Sequence, residues 1–252
     1  MHPILLKLGN FTIYSYGLFY GLSFLAAILY LVNRSKKSKE KALSHDEIYS
    51  LFLYAILLGV LGARIFYVLT NLGEFAASPI DILKIWNGGL VYYGGFIFVA
   101  IFIILYAKKK KISLLKLGDF VAPSVALGHA IGRIGCFFAG CCYGRETNVP
   151  WSVVFKDRNS LAVLGVHLHP TQLYESFGNF LIFLVLYFYS KKKPKAGQIV
   201  AVYFMSYAIL RFTIEFFRGD SGRGSQHFGL SVSQVVSVLL FIIGVFIVCK
   251  KK

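Results

Sequence analysis

Apolar residues in this chain come in long unbroken blocks rather than in alternation, and short polar or basic stretches separate the blocks. A helix needs roughly 20 apolar residues to cross a hydrocarbon core about 30 Å thick. Seven blocks qualify, near residues 11–32, 47–69, 88–107, 117–138, 172–190, 197–217 and 230–249. The pattern predicts an all-α membrane protein, a bundle of seven transmembrane helices forming a single polytopic membrane domain over residues 1–252. Two connections are long enough to hold structure of their own. Residues 70–87, NLGEFAASPIDILKIWNG, read as a short amphipathic helix with Phe75, Ile82, Leu83 and Trp86 available to lie on the interface. Residues 143–169 mix polar positions with a strand-like run, WSVVF, and read either as a small extracytoplasmic cap or as a plain loop.

Composition agrees with a membrane location: 57% of residues are hydrophobic, 17% are aromatic, and the mean hydropathy is +0.66. A net charge of +16 could instead suggest nucleic acid, so the placement of the basic residues decides. Four clusters, Arg34 to Lys41, Lys108 to Lys116, Lys191 to Lys195 and Lys250 to Lys252, hold 17 of the 27 Lys and Arg. They follow the first, third, fifth and seventh blocks, which lie on one side of the membrane. The other side carries seven: Lys7, Lys84, Arg145, Lys156, Arg158, Arg218 and Arg223. By the positive-inside rule the amino terminus is outside and the carboxyl terminus cytoplasmic. The basic charge is then topological, and no nucleic-acid partner is expected. The start, MHPILLKLGNFTIYSYG, lacks the basic region and small-residue cleavage pattern of a removable leader, so the first span is expected to stay.

Three arginines fall inside the predicted spans: Arg64, Arg133 and Arg211. An ionisable residue in lipid has a solvation penalty that packing alone does not offset, so each is a functional candidate. All three lie toward the outward end of their helices. Tyr16, Tyr92, Tyr93, His169, Gln172 and Glu175 open inward-running spans at the same depth. Glu215 follows Arg211 by four residues, Arg218 comes three later, and His129 precedes Arg133 by four. A guanidinium is planar, permanently charged and a two-toothed partner for phosphate. Arginines at headgroup depth therefore suit a phospholipid whose acyl chains stay in the bilayer, while structural ion pairs, Arg211 with Glu215 above all, are the competing reading. Gly128 and Gly132 form a GxxxG expected to pack helices. Gly140 and Gly144 are expected to break the helix and turn backbone amides toward a ligand.

At this point the residues resemble a known family. GRIGCFFAGCCYGR, from Gly132 to Arg145, is similar to the signature segment of the bacterial phosphatidylglycerol-prolipoprotein diacylglyceryl transferases. Further matches follow in order: YGL at Tyr16–Leu18, GARIFYV at Gly62–Val68, WNGGLVYYGG at Trp86–Gly95, HPTQLYES at His169–Ser176, RFTIEFFR at Arg211–Arg218 and GLSVSQ at Gly229–Gln234. The resemblance implies a multi-pass protein of the bacterial inner (cytoplasmic) membrane with its active site facing the outer leaflet. It implies transfer of the diacylglyceryl group of phosphatidylglycerol to the lipobox cysteine of a prolipoprotein signal peptide, leaving a thioether and glycerol phosphate, with signal peptidase II acting next. The partners would be those two substrates and the surrounding membrane lipids. Arg133 and Arg211 would hold the phosphate, with Tyr16 and Glu215 as further functional positions. Arg64, Gly140, Gly144, His169 and Arg218 complete the expected substrate-binding set, and no metal or organic cofactor is expected.

Three positions depart from the family pattern: Tyr93 stands where a histidine is expected, and Cys136 and Cys141 stand in place of an asparagine and a glutamate. The proton acceptor is then either His129, one helical turn before Arg133, or Tyr93. With His167 and His169 near in sequence, Cys136, Cys141 and Cys142 are a conceivable metal site, but CxxxxCC is not a recognised zinc spacing, so they read first as small cavity-lining residues or a disulfide, and Cys249 as a small apolar residue or an acylation site. Two other functions compete: a relative with a different acceptor, and a lipid or anion transporter. The second needs a polar path to the cytoplasm, whereas the inner halves are almost wholly apolar apart from Asp119.

Overall fold

The computed structural model describes residues 1–9, 11–37, 43–85, 88–220 and 229–250. Trp86, Arg223, Lys39, Lys41, Lys251 and Lys252 lie outside the described residues. The described chain is mostly helical and forms two compact units, one of Met1–Leu31 with Gly118–Lys252 and one of Val32–Leu117.

In the Val32–Leu117 unit, helices α2 (His45–Thr70) and α4 (Tyr92–Lys109) pack together, linked by a short helix α3 (Leu72–Ala77) and a 3-10 turn at Pro79–Leu83. A capping box starts α2: the Glu47 amide donates to Ser44 Oγ at 3.2 Å, and the Ser44 amide donates to the Glu47 carboxylate at 2.8 Å. The two long helices touch backbone to backbone. A Cβ on Gly62 would lie 2.6 Å from the carbonyl oxygen of Gly94, and one on Gly95 would lie 2.6 Å from that of Gly59. The single amphipathic helix expected over 70–87 is instead two short pieces, because Pro79 disfavours helical backbone at Ser78, which is extended at φ −147. Phe75 points inward and is buried, whereas Ile82 and Leu83 are exposed as expected.

The other unit begins with an antiparallel hairpin, β1 (Ile4–Leu8) and β2 (Phe11–Tyr14), turning at Gly9 with φ 58. The first span therefore starts at Ser15, not at residue 11: α1 covers Ser15–Lys37. Then come α5 (Leu114–Ala139), α6 (Thr171–Lys191), α7 (Gln198–Glu215) and α8 (Val232–Cys249). Helices α1, α2, α4, α5, α6 and α8 are long and apolar enough to cross a membrane. Helix α7 forms where the remaining span was expected, but Gln198, Arg211 and Glu215 make it more polar.

Burial is inverted relative to a water-soluble helix. Helix α8 exposes Leu239, Ile242 and Phe246 and buries Gln234, Ser237 and Gly244. Such a surface suits lipid, where polar groups must find partners inside. Asp119 shows how a buried charge is accommodated. Its carboxylate accepts from the amides of Gly197 and Val200, the latter at 2.8 Å, and so caps the first turn of α7 where Gly197 takes φ 93.

Residues 143–169 are structured and do not form a plain loop. Strands β3 (Val153–Val154) and β4 (His167–Leu168) pair antiparallel over a core of Phe155, Ala162 and Leu168, with Phe137 from α5 packed edge-on to Phe155.

Candidate active site

The carboxyl end of α5 carries the signature segment, and α6 docks onto it through the polar residues of HPTQLYES. Thr171 Oγ1 donates to the Cys142 carbonyl at 2.8 Å and Gln172 Nε2 to the Cys141 carbonyl at 2.7 Å. One turn on, Glu175 Oε1 meets an Arg133 terminal nitrogen at 2.7 Å, and Ser176 Oγ donates to the Ala130 carbonyl at 2.7 Å. These residues share one helical face, and Thr171, Gln172 and Glu175 are all but fully buried.

Arg133 is thereby set in place. Its Nε donates to His129 Nε2 at 3.1 Å, so the imidazole accepts there and its lone pair is engaged. His129 Nε2 also lies 3.6 Å from Glu175 Oε1 and faces the Tyr207 ring at 5.4 Å between centroids. Arg211 sits within electrostatic reach of His129 as well. It pairs with Glu215 at 2.7 Å and donates to Ser233 Oγ at 2.8 Å. That serine belongs to GLSVSQ, whose Ser231 and Gln234 form the capping box of α8. Each guanidinium has five N–H donors. Among the described residues, His129 and Glu175 engage two of the five on Arg133, and Glu215 and Ser233 engage two on Arg211.

Tyr16 stacks on Tyr20 at 5.7 Å and lies within electrostatic reach of Cys136, Cys141 and Cys142. Gly135 makes that approach possible, since a Cβ there would sit 3.0 Å from Phe19 Cβ and 3.3 Å from the Tyr16 carbonyl. Gly128 packs on α1 as the GxxxG predicted, at Ser23 and Ala27, but a Cβ on Gly132 would meet nothing within 4 Å among the described residues. The second glycine of that motif therefore makes room instead of a contact.

Gly140 and Gly144 do not present free amides. The Gly140 amide donates to the Cys136 carbonyl at 3.0 Å and the Gly144 amide to the His169 carbonyl at 2.9 Å. Their physical use is close approach: Gly140 adopts φ 78, and a Cβ on Gly144 would lie 2.6 Å from the His169 carbonyl and 2.8 Å from that of Phe217. Arg145 and Gly219 extend this bracing, bonding to Phe217 and Tyr143 carbonyls at 2.8 and 3.1 Å. His169 is buried against Phe217 and near the Tyr174 hydroxyl, 3.2 Å from Nδ1. Burial, with Arg145 nearby, holds its pKa below the ordinary histidine value. Arg218 forms a two-toothed pair with Asp220 at 2.9 and 2.6 Å.

Arg64 and Tyr93 belong to the Val32–Leu117 unit. Arg64 donates to four carbonyls there: Ile82 at 2.9 Å, Gly88 at 2.8 Å, Gly89 at 3.1 Å and Asp81 at 2.5 Å. Gly88 and Gly89 take φ 86 and 74 to present theirs, and Phe75 covers the guanidinium at 5.2 Å. Tyr93 is half exposed and meets Tyr92 edge-on. Glu175, the shared partner of His129 and Arg133, was visible in the sequence only as a polar residue at the right depth. Its place on the same α6 face as Thr171 and Gln172 was the available signal.

The three cysteines of the signature converge. Among the described residues, their sulfur atoms form a group lying within 4.8 Å of one another, and all three are free thiols. Cys142 sits at φ 59, a left-handed conformation that costs a non-glycine residue on the order of 1 kcal/mol or more. Its thiolate is favoured, with a pKa well below the ordinary thiol range. Cys136 and Cys141 hydrogen-bond toward it, and the Arg133 and Arg218 charges add to the effect.

Known proteins match along almost all of this chain. Relatives named phosphatidylglycerol-prolipoprotein diacylglyceryl transferase occur in Clostridium tetani, at 40% identity over 98% of this chain and 96% of the relative, and in Bordetella bronchiseptica, at 35% over 96% and 92%. One from Clostridium perfringens, named as transferase 2 of that activity, is 35% identical over 98% of this chain and 94% of its own length. With residues 3–250 also matching the family model described as prolipoprotein diacylglyceryl transferase, the chain belongs to that family.

Proposed function

We propose that this chain is a multi-pass enzyme of the bacterial cytoplasmic membrane that transfers the diacylglyceryl group of phosphatidylglycerol to the lipobox cysteine of a prolipoprotein. The observation that carries the reading is the pair of guanidiniums gathered around His129: Arg133 anchored by Glu175, and Arg211 anchored by Glu215 and Ser233. Each positive charge is balanced before substrate arrives, and each fork keeps donors for phosphate oxygens. Seven crossings with the amino terminus outside would put this site in the outer leaflet, at the depth of a headgroup whose acyl chains stay in lipid.

In the reaction the acceptor sulfur forms a bond to the terminal glyceryl carbon while the bond from that carbon to phosphate oxygen breaks. The electron pair leaves with the phosphate, giving glycerol phosphate, and the thiol proton passes to a base. Arg133 and Arg211 stabilise charge growing on the leaving phosphate. His129 is the favoured base, because a phosphate that draws Arg133 toward itself frees the imidazole lone pair. Tyr16 stands beside the thiol-lined wall as a further donor. Arg64 clamps its own loop, its donors being held by backbone carbonyls. Gly140, Gly144, His169 and Arg218 shape the rim.

The test is the enzyme reconstituted with phosphatidylglycerol and two synthetic lipobox peptides, one with cysteine and one with serine at the acceptor position. A diacylglyceryl mass increment on the cysteine peptide alone supports the reading. Lipid turnover with neither peptide modified would reassign the acceptor.

A further inference from the structure

We infer that Cys136, Cys141 and Cys142 form a three-sulfur binding site for a thiophilic divalent cation, zinc in first place, with its fourth position open to the acceptor thiol. The sequence spacing hides this site. Cys136 lies in the last turns of α5, and five residues along a continuous helix would turn the next cysteine away from it. The helix instead ends at Ala139, Gly140 takes φ 78, and Cys142 takes φ 59, so the chain folds back and all three sulfurs come within 4.8 Å of one another.

Tetrahedral zinc with Zn–S bonds of about 2.3 Å places its sulfurs roughly 3.8 Å apart. Closing from the separations present here needs only small side-chain rotations. The backbone that carries the thiols is already pinned, at Cys141 by Gln172 and at Cys142 by Thr171, both from the buried face of α6. Cys142, a left-handed non-glycine residue whose carbonyl is held by Thr171, carries the kind of local strain that persists where function requires a geometry. The charge balance is favourable too. A metal bound by three thiolates is anionic overall, and Arg133 and Arg218 face this cluster.

Each of the three side chains is only partly buried, and a Cβ on Gly132, one helical turn before Cys136 on the same face, would meet nothing within 4 Å among the described residues. An incoming ligand therefore has room. Three protein ligands with one open position is the arrangement of catalytic rather than structural zinc. A thiol that fills it is deprotonated by the metal at neutral pH, its proton leaving to His129, and the bound thiolate is the nucleophile for the glyceryl carbon. This part rests on the transfer reaction proposed above, whereas cation binding does not.

The experiment uses the full chain in detergent, reduced and stripped of metal with a chelator, then titrated with Cd2+ and read by its sulfur-to-metal charge-transfer absorption. Zinc content is measured by elemental analysis on a parallel sample. One equivalent per chain is expected. Cys136→Ser and Cys141→Ser should each weaken binding by more than the ~10–100-fold typical of losing an outer partner, and Cys249→Ser should change nothing. No charge-transfer band, or binding that survives Cys136→Ser and Cys141→Ser, overturns the site. So does an intact mass showing that two of the three are joined as a disulfide in the active protein. Peptide transfer is assayed on the same samples. Stoichiometric metal without transfer refutes the proposed reaction alone, whereas full transfer in metal-free protein refutes the metal's part in it.

Discussion

Arg133→Lys separates a phosphate ligand from a structural counter-ion. Arg133 holds Glu175 at 2.7 Å and His129 at 3.1 Å, and Glu175 is buried almost completely. Truncation to alanine would leave that carboxylate without its partner, at a cost of about 3–5 kcal/mol, and would confuse a folding defect with a catalytic one. Lysine keeps the charge and can still reach Glu175. It cannot hold His129 and Glu175 while also presenting a planar fork to phosphate. The stability loss should be that of one hydrogen bond, about 1 kcal/mol. The rate should suffer more. Losing one charge-assisted bond to the departing phosphate is worth about 1.5–3 kcal/mol, or roughly 10- to 150-fold in kcat. The assay is peptide diacylglyceryl transfer at saturating lipid, alongside thermal unfolding of the same preparation. A folded Arg133→Lys enzyme working within about threefold of wild type would refute the phosphate role and leave Arg133 as a partner for Glu175.

Asp119→Ala removes the carboxylate cap of α7 and strands two buried amides, so thermal unfolding should come roughly 6–12 °C earlier for a loss of ~3 kcal/mol, with the transfer rate per folded molecule unchanged. Gly144→Ala forces a methyl against the His169 and Phe217 carbonyls, and should lower both stability, by about 1–3 kcal/mol, and transfer rate. His129→Gln should reduce transfer by roughly 10²- to 10⁴-fold while Tyr93→Phe has little effect. The reverse order would make Tyr93 the base, and full rate in both would make ionisation of the thiol a matter of the surrounding positive field.

Most of the helical framework was legible because lipid-facing segments must be apolar along their whole length, and such runs cannot be mistaken for strands. The exceptions have local causes. Residues 11–14 are apolar enough to extend the first span, yet they pair with Ile4–Leu8 across a left-handed Gly9. Residues 70–87 carry an amphipathic pattern, but Pro79 splits it and Arg64 draws the loop carbonyls inward. Asp119 looked anomalous in an apolar inner half because its partners are backbone amides 78 and 81 residues away.

The site was legible in kind and less so in detail. Arginine at headgroup depth pointed to the phosphate-binding chemistry proposed above, and the spacing of His129 to Arg133 and of Arg211 to Glu215 gave contacts along single helices. Contacts between helices were not available from one sequence. Glu175 with Arg133 and Ser233 with Arg211 depend on how α6 and α8 pack. The thiol cluster depends on backbone conformation at Gly140 and Cys142, and no residue-type pattern announces it.

The central claim is that one site, built on Arg133 and Arg211, both binds the lipid phosphate and moves the diacylglyceryl group. It is tested most directly by counting both products of one reaction: diacylglyceryl groups gained by a lipobox peptide and glycerol phosphate released from phosphatidylglycerol. The account predicts a one-to-one ratio throughout the time course, with both products falling together in Arg133→Lys. Glycerol phosphate released without modified peptide, or modified peptide formed at the wild-type rate by Arg133→Lys, would contradict it.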